Sequence, residues 1–150
     1  MAQTLASLMV HVVFSTKHRR PMITPAVEPE LYAYLAGTAK NLESRCLAAG
    51  GTENHLHLLI SQSKNIALSR LMEELKKSSS KWIKTKGAAF RAFGWQDGYG
   101  AFSIGESNVP ALKRYIAGQK ERHKRQTFEE EFVALLKKYR IEYDERYLWS

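Results

Sequence analysis

His55-Leu56-His57 is the most chemically pointed stretch of the chain. Read as part of a strand over residues 55–61 (HLHLLIS), it sends both imidazoles to one face, about 7 Å apart along the chain. Leu56 then turns to the opposite face and into a core. Two imidazoles on one side of a rigid strand are placed to share a metal ion, although the same spacing also fits a histidine pair on a solvated sheet face. A second constellation lies downstream. Tyr115, Gln119 and His123 are spaced by four, so on a helix they stack along one face. A phenol beside a polar ligand suits nucleophilic attack on a phosphodiester, because its oxygen can bond to phosphorus while a neighbour helps hold a metal that polarises the phosphate. The same tyrosine, next to Ile116 on an amphipathic helix, also fits an edge-of-core residue with its hydroxyl in water. By spacing alone His123 rivals Gln119 as a third ligand, since imidazole is the commoner choice.

Several elements must position these groups. Residues 8–15 (LMVHVVFS), rich in β-branched side chains, read as a buried strand ended by the basic turn at residues 17–21. Pro21, Pro25 and Pro29 lead into a helix whose repeating positions are Leu31, Tyr34, Leu35, Thr38, Ala39 and Leu42, proline being tolerated only in a helix's first turn. Residues 46–49 form a short apolar strand, Gly50-Gly51 reads as a break, and the histidine strand follows. Asn65 reads as the cap of a long basic helix with Leu68, Leu71, Met72, Leu75, Trp82 and Ile83 as its apolar stripe. After a connection over 87–94 comes an aromatic strand over 95–104, weakened by Gly98 and Gly100. Ser107 or Asn108 caps the next helix, with Pro110 in its first turn and Val109, Leu112 and Ile116 inward. A further amphipathic helix covers about 127–139, and the tail 141–150 is aromatic and mixed in charge. The first six elements predict an α+β, ferredoxin-like (split βαβ) antiparallel sheet with helices on one face, followed by the Tyr115 helix and a C-terminal helix. One domain spans 1–150, its core over about 8–124 and its C-terminal helix and tail over 127–150.

Composition bounds the function. With 44% hydrophobic residues, nine glycines and four prolines in 150 residues, the chain is expected to fold as one domain. No apolar run approaches the ~20 residues of a membrane span, and residues 1–7 lack the charged start of a secretory leader. A single cysteine, Cys46, forms no internal disulfide and no zinc cluster, so a reducing cytoplasmic setting is expected. The 23 basic against 15 acidic residues give +8, which favours a polyanionic partner such as nucleic acid. Eight Lys or Arg fall in 64–91 and six in 113–125, with Trp82, Phe90, Phe93, Trp95, Tyr99 and Phe102 among or beside the first group. Cations for a backbone and aromatic faces for unpaired bases make up a single-strand binding surface.

In sequence order, HVVFSTKHRR (11–20), NHLHLL (54–59), LKKSSS (75–80), WQDGYGAFSIG (95–105) and Tyr115-Ile116-Ala117-Gly118-Gln119 resemble the single-tyrosine HUH transposases of small bacterial insertion sequences, in particular the REP-associated tyrosine transposases. HUH denotes His, a hydrophobic residue, His. The resemblance spans most of 9–119; nothing in the tail beyond His123 matches, and Asn54 stands where many members carry an acidic residue. It implies Tyr115 as nucleophile and His55, His57 and Gln119 as ligands of Mg2+ or Mn2+, Gln119 through its carbonyl oxygen. It also implies a homodimer in which the tyrosine of one chain completes the histidine pair of the other; spacing leaves open whether Tyr115 acts within its own chain. The expected reaction cleaves and rejoins single-stranded DNA hairpins at element ends through a 5′-phosphotyrosine, needing no ATP, in keeping with the lack of a Walker-type glycine motif. A tyrosine of pKa ~10 needs help to lose its proton, from the metal's field or a lysine such as Lys120. Lys17, Arg19, Arg20, Lys76, Lys77 and Lys81 are the candidate DNA-backbone contacts. A non-catalytic ferredoxin-like binder of single-stranded nucleic acid, or a transposase relative retained only for hairpin binding, also accounts for charge, aromatics and fold, but leaves the histidine pair and Tyr-x-x-x-Gln as coincidences. Replication initiators and relaxases share the HUH chemistry but are generally larger.

Overall fold

The structure, a computed structural model, describes residues 2–150; Met1, part of the leader reading above, lies outside the described residues. The β-branched run at the start forms the central strand β1 (Met9–Ser15). It pairs antiparallel with β3 (His55–Ser61) on one side and β4 (Gly100–Ile104) on the other. Strand β2 (Arg45–Gly51) pairs with the outer edge of β3, giving the order β2-β3-β1-β4. Helix α1 (Glu28–Asn41) links β1 to β2, and α2 (Leu68–Ile83) links β3 to β4. Both bury their apolar stripes on one sheet face. Leu31, Leu35 and Ala39 of α1, with Leu71, Met72, Leu75 and Ile83 of α2, meet Val12, Phe14, Leu56, Leu58 and Ile60. Each of these side chains except Ala39 contributes roughly 1.5–3 kcal/mol by burial. This is the ferredoxin-like split βαβ arrangement read from the sequence.

The opposite sheet face is covered as well. Helix α3 (Val109–Ala117) sets Val109 and Ile116 on Leu59. After the short α4 (Gln119–Arg122), helix α5 (Phe128–Lys138) packs Phe128, Leu135 and Leu136 on Val13 and Phe102. A final turn, α6 (Glu145–Leu148), brings Trp149 against this cluster. The histidine pair therefore faces a roofed space rather than water: His55 and His57 are both 0% exposed.

Four local expectations change. Gly50-Gly51 is not a break but the end of β2. A Cβ on Gly50 would sit 2.3 Å from the Ile116 carbonyl oxygen, so the bare backbone is what lets α3 lie directly on the strand. Asn65 does not cap α2, which begins at Leu68 behind Ala67 with no side-chain cap. The 95–104 strand shortens to β4, because Gly98 adopts φ +84° and turns the chain, leaving Trp95 in an isolated bridge to Thr16. The 115–123 stretch is not one helix: α3 ends at Gly118 before α4 begins. Asn108 does stand at the start of α3, without a capping bond from its side chain. Thr127 caps α5 through a full capping box with Glu130. Among the described residues no helix is long and apolar enough to cross a membrane.

Candidate active site

Alternation along β3 turns both imidazoles toward the roof formed by α3, α4 and α5, and the two rings lie 5.2 Å apart, centre to centre. His55 Nδ1 sits 2.8 Å from Asn54 Oδ1 and 3.0 Å from Thr52 Oγ1, so its Nδ1–H donates to the amide oxygen and its Nε2 lone pair faces the roof. Asn54 thus orients the ring without an acidic side chain. His57 Nδ1 lies 2.8 Å from Nε2 of His11, a β1 residue 1% exposed, with the two rings stacked. His123 fixes its ring in the same way, Nδ1 meeting the Gln126 carbonyl at 2.7 Å.

Despite the break at Gly118, Tyr115, Gln119 and His123 converge on the pair. Gln119 Oε1 is 3.0 Å from both His55 Nε2 and His123 Nε2. The two alternatives left open by spacing therefore both reach the centre. Sequence reasoning missed its hub, Glu131 of α5. One carboxylate oxygen, Oε1, lies 3.0 Å from His57 Nε2, 2.9 Å from His123 Nε2 and 3.4 Å from His55 Nε2. The other, Oε2, accepts the Gln119 amide at 2.9 Å and the Tyr115 hydroxyl. A signal was present: positions 128, 131, 132 and 135 form the inward face of α5, and only 131 carries a charge. Tyr115 meets the histidine pair of its own chain, where the resemblance implied a partner's.

The family described as "Transposase IS200 like" matches residues 4–119. The chain belongs to the IS200-like transposase family. Two solved structures share its fold. One is a proposed transposase from Deinococcus radiodurans R1, with TM-score 0.62 and 18% identity, covering 79% of this chain and 95% of that one. The other is the REP-associated tyrosine transposase bound to a REP hairpin, with TM-score 0.61 and 13% identity, covering 82% of this chain and 74% of that one. No curated protein matches the chain.

Burial and hydrogen bonding set the charge states within this IS200-like transposase. Burial alone would raise the Glu131 carboxyl, but the imidazoles of His55 and His57 and the Tyr115 hydroxyl that surround it outweigh that cost and hold Glu131 ionised, well below the usual range. Burial lowers His57 against the pull of Glu131. Burial and then His57 lower His11 to about 3, so His11 stays neutral and its Nε2 can accept from His57. Burial first, then the bond to Glu131, raise Tyr115 above its ordinary range. Lys120, the expected aid to deprotonation, points away from the phenol. It stands on α4, beyond the break at Gly118, and pairs with Glu28 and the Gly51 carbonyl.

The donor set fits a divalent cation. His55, His57 and Glu131 offer ligand atoms within 4.8 Å of one another, and Gln119 Oε1 and His123 Nε2 border them. Neighbouring ligands on a cation with ~2.1 Å bonds lie about 3 Å apart, which is the spacing found here. Imidazole nitrogens mixed with carboxylate and amide oxygens suit a borderline ion better than a purely hard one.

The basic candidates are scattered. Lys17 and Arg20 are exposed in the turn after β1. Arg19 is engaged by its own chain, its guanidinium 4.9 Å over Trp149 and 3.6 Å from Glu129. Lys76 donates to the Gln96 and Gly98 carbonyls, both at 2.6 Å, and so holds the loop before β4. Lys77 and Lys81 lie exposed on α2, which covers the sheet face opposite the imidazoles.

Proposed function

We propose that this transposase cleaves and rejoins single-stranded DNA at hairpin-bearing element ends, with Tyr115 as the nucleophile. The observation that carries the reading is the Tyr115 hydroxyl donating to the same carboxylate, Glu131, that faces His55 and His57. His55, His57 and Gln119, with Glu131 beside them, would hold a Mg2+ or Mn2+ ion, which supplies Lewis-acid polarisation of the scissile phosphate. Tyr115 Oη forms a bond to phosphorus as the bond from phosphorus to the 3′-oxygen breaks. The phenol proton passes to Glu131 Oε2, and the departing 3′-oxygen takes a proton from water to become a hydroxyl. Glu131 is a weak base in its resting state, so transfer completes as the phosphorus bond forms and the phenol grows acidic. The product is a 5′-phosphotyrosine. Its ester is close in energy to the phosphodiester it replaces, so attack by a 3′-hydroxyl reseals the strand with no ATP. Asn54, His11 and the Gln126 carbonyl hold the three rings in the required tautomers. That Tyr115 stands beside its own chain's imidazoles supports attack within one chain, and two chains still suit the joining of two ends. Gel analysis of an end-labelled hairpin oligonucleotide incubated with Mn2+ tests the reading. Nicking should appear with metal, vanish with chelator, and fall on the order of 100-fold in His55→Ala and His57→Ala. Undiminished nicking in both variants, or none across Mg2+ and Mn2+, rejects it and leaves a binding module.

A further inference from the structure

Beside Tyr115 runs an open groove of about 510 Å³ whose walls include Arg114, Arg122 and Arg125. None of the three was singled out among the basic residues of the sequence. Arg114 lies in the last turn of α3, Arg122 ends α4 and Arg125 follows in the next turn, so the interruption at Gly118 is part of the groove wall. The Arg122 guanidinium lies 4.5 Å over the Tyr115 ring, with its Nε 4.0 Å from Glu131 Oε2. The one acidic side chain in the wall, Glu121, is already paired with Lys124 at 2.7 Å. Among the described residues, Arg114 and Arg125 form no ion pair.

Three guanidiniums along one concave wall repel each other, and among the described residues two of them, Arg114 and Arg125, have no acidic partner, so the wall is suited to an incoming anion. A guanidinium is a planar fork that matches two phosphate oxygens at once, which an ammonium does not. The wall shares Tyr115 with the catalytic centre, so an anion held there lies next to the nucleophile.

We propose that this groove is a backbone clamp: Arg114, Arg122 and Arg125 grip phosphodiesters of single-stranded DNA immediately beside the one Tyr115 attacks. The choice of polyanion rests on the strand-cleavage reading above.

Fluorescence anisotropy with a fluorescein-labelled single strand of about 20 mixed nucleotides, over about 50–300 mM KCl, tests the clamp. The full-length Arg114→Gln/Arg125→Gln variant leaves Arg122 and the buried centre intact. Its slope of log affinity against log salt should flatten by about 1.4, and affinity near 100 mM salt should fall at least about fivefold. A charge-matched Lys40→Gln/Lys84→Gln variant, altered at the ends of α1 and α2, should keep the wild-type slope. An unchanged slope in the arginine variant, or an equal change in the lysine variant, overturns the clamp. Nicking measured on the same samples separates the two readings. Wild-type cleavage with an unaltered slope in the arginine variant overturns the clamp alone, whereas a flattened slope without any wild-type cleavage supports the clamp and overturns the strand-cleavage reading.

Discussion

Glu131 presents one oxygen to three imidazoles and the other to a phenol and an amide, so it couples the candidate metal centre to the proposed nucleophile. Glu131→Gln keeps the volume and removes the charge. Strand cleavage should fall on the order of 100-fold in this variant, with single-strand affinity within about threefold of wild type, as read by gel and anisotropy. The charge states also fix a pH profile. Glu131 is ionised well below neutral and Tyr115 stays protonated above pH 9, so the reactive pair of carboxylate and phenol persists between those limits. Cleavage at saturating metal should therefore be nearly flat from about pH 6.5 to about pH 9. A tenfold rise per pH unit across that range would mean that free phenolate attacks and Glu131 does not take the proton. At this scale the sequence spoke plainly only where chemistry is local. His55 and His57 share a face because strand alternation dictates it. Glu131 lies 12 residues beyond Gln119 and the groove's arginines stand on both sides of a helix break, and only the fold gathers them around Tyr115.

Two close approaches between elements set where the catalytic groups stand. Gly50 lets α3 rest on β2, and Gly100 leaves room for Phe132 of α5, whose ring carbon would lie 2.6 Å from a Cβ placed there. Gly50→Ala pushes directly against the Ile116 carbonyl, one residue from Tyr115. Cleavage should drop more than about tenfold while metal binding, which rests mainly on β3, changes far less. Equal losses of both would mean that the variant is simply misfolded, and circular dichroism would register it. Helix α5 depends on its capping box at Thr127. Thr127→Ala should cost about 1 kcal/mol in denaturant unfolding and loosen Glu131 with it. Periodicity made α1, β3 and α5 legible within a residue or two. It misread Gly50-Gly51, because a glycine that punctuates a loop and one that admits a neighbouring backbone look alike in one dimension. It also overextended β4, since Trp95 buries in a loop held by Lys76 and Tyr99 lies exposed, neither standing in the ladder.

Across the whole molecule, two layers divide the labour. Helices α1 and α2 on one sheet face supply the apolar core, and α3 through α5 on the other enclose a polar one. Buried polar groups are costly without partners, yet among the described residues Arg19 Nη1 is the only buried side-chain nitrogen or oxygen lacking one. The strand order was readable because six elements in this sequence have few compact solutions; that the C-terminal helix would close over the histidines was not, since its one telling residue looks like a surface charge. The account stands on the phenol of Tyr115 as the atom that takes the DNA. Mass spectrometry of tryptic peptides after reaction of a hairpin single strand with Mn2+ reads this directly. The nucleotide should be found on the peptide 115–120 (YIAGQK), and no adduct should form in Tyr115→Phe or in the presence of chelator. An adduct on any other residue, or one that persists in Tyr115→Phe, contradicts the account.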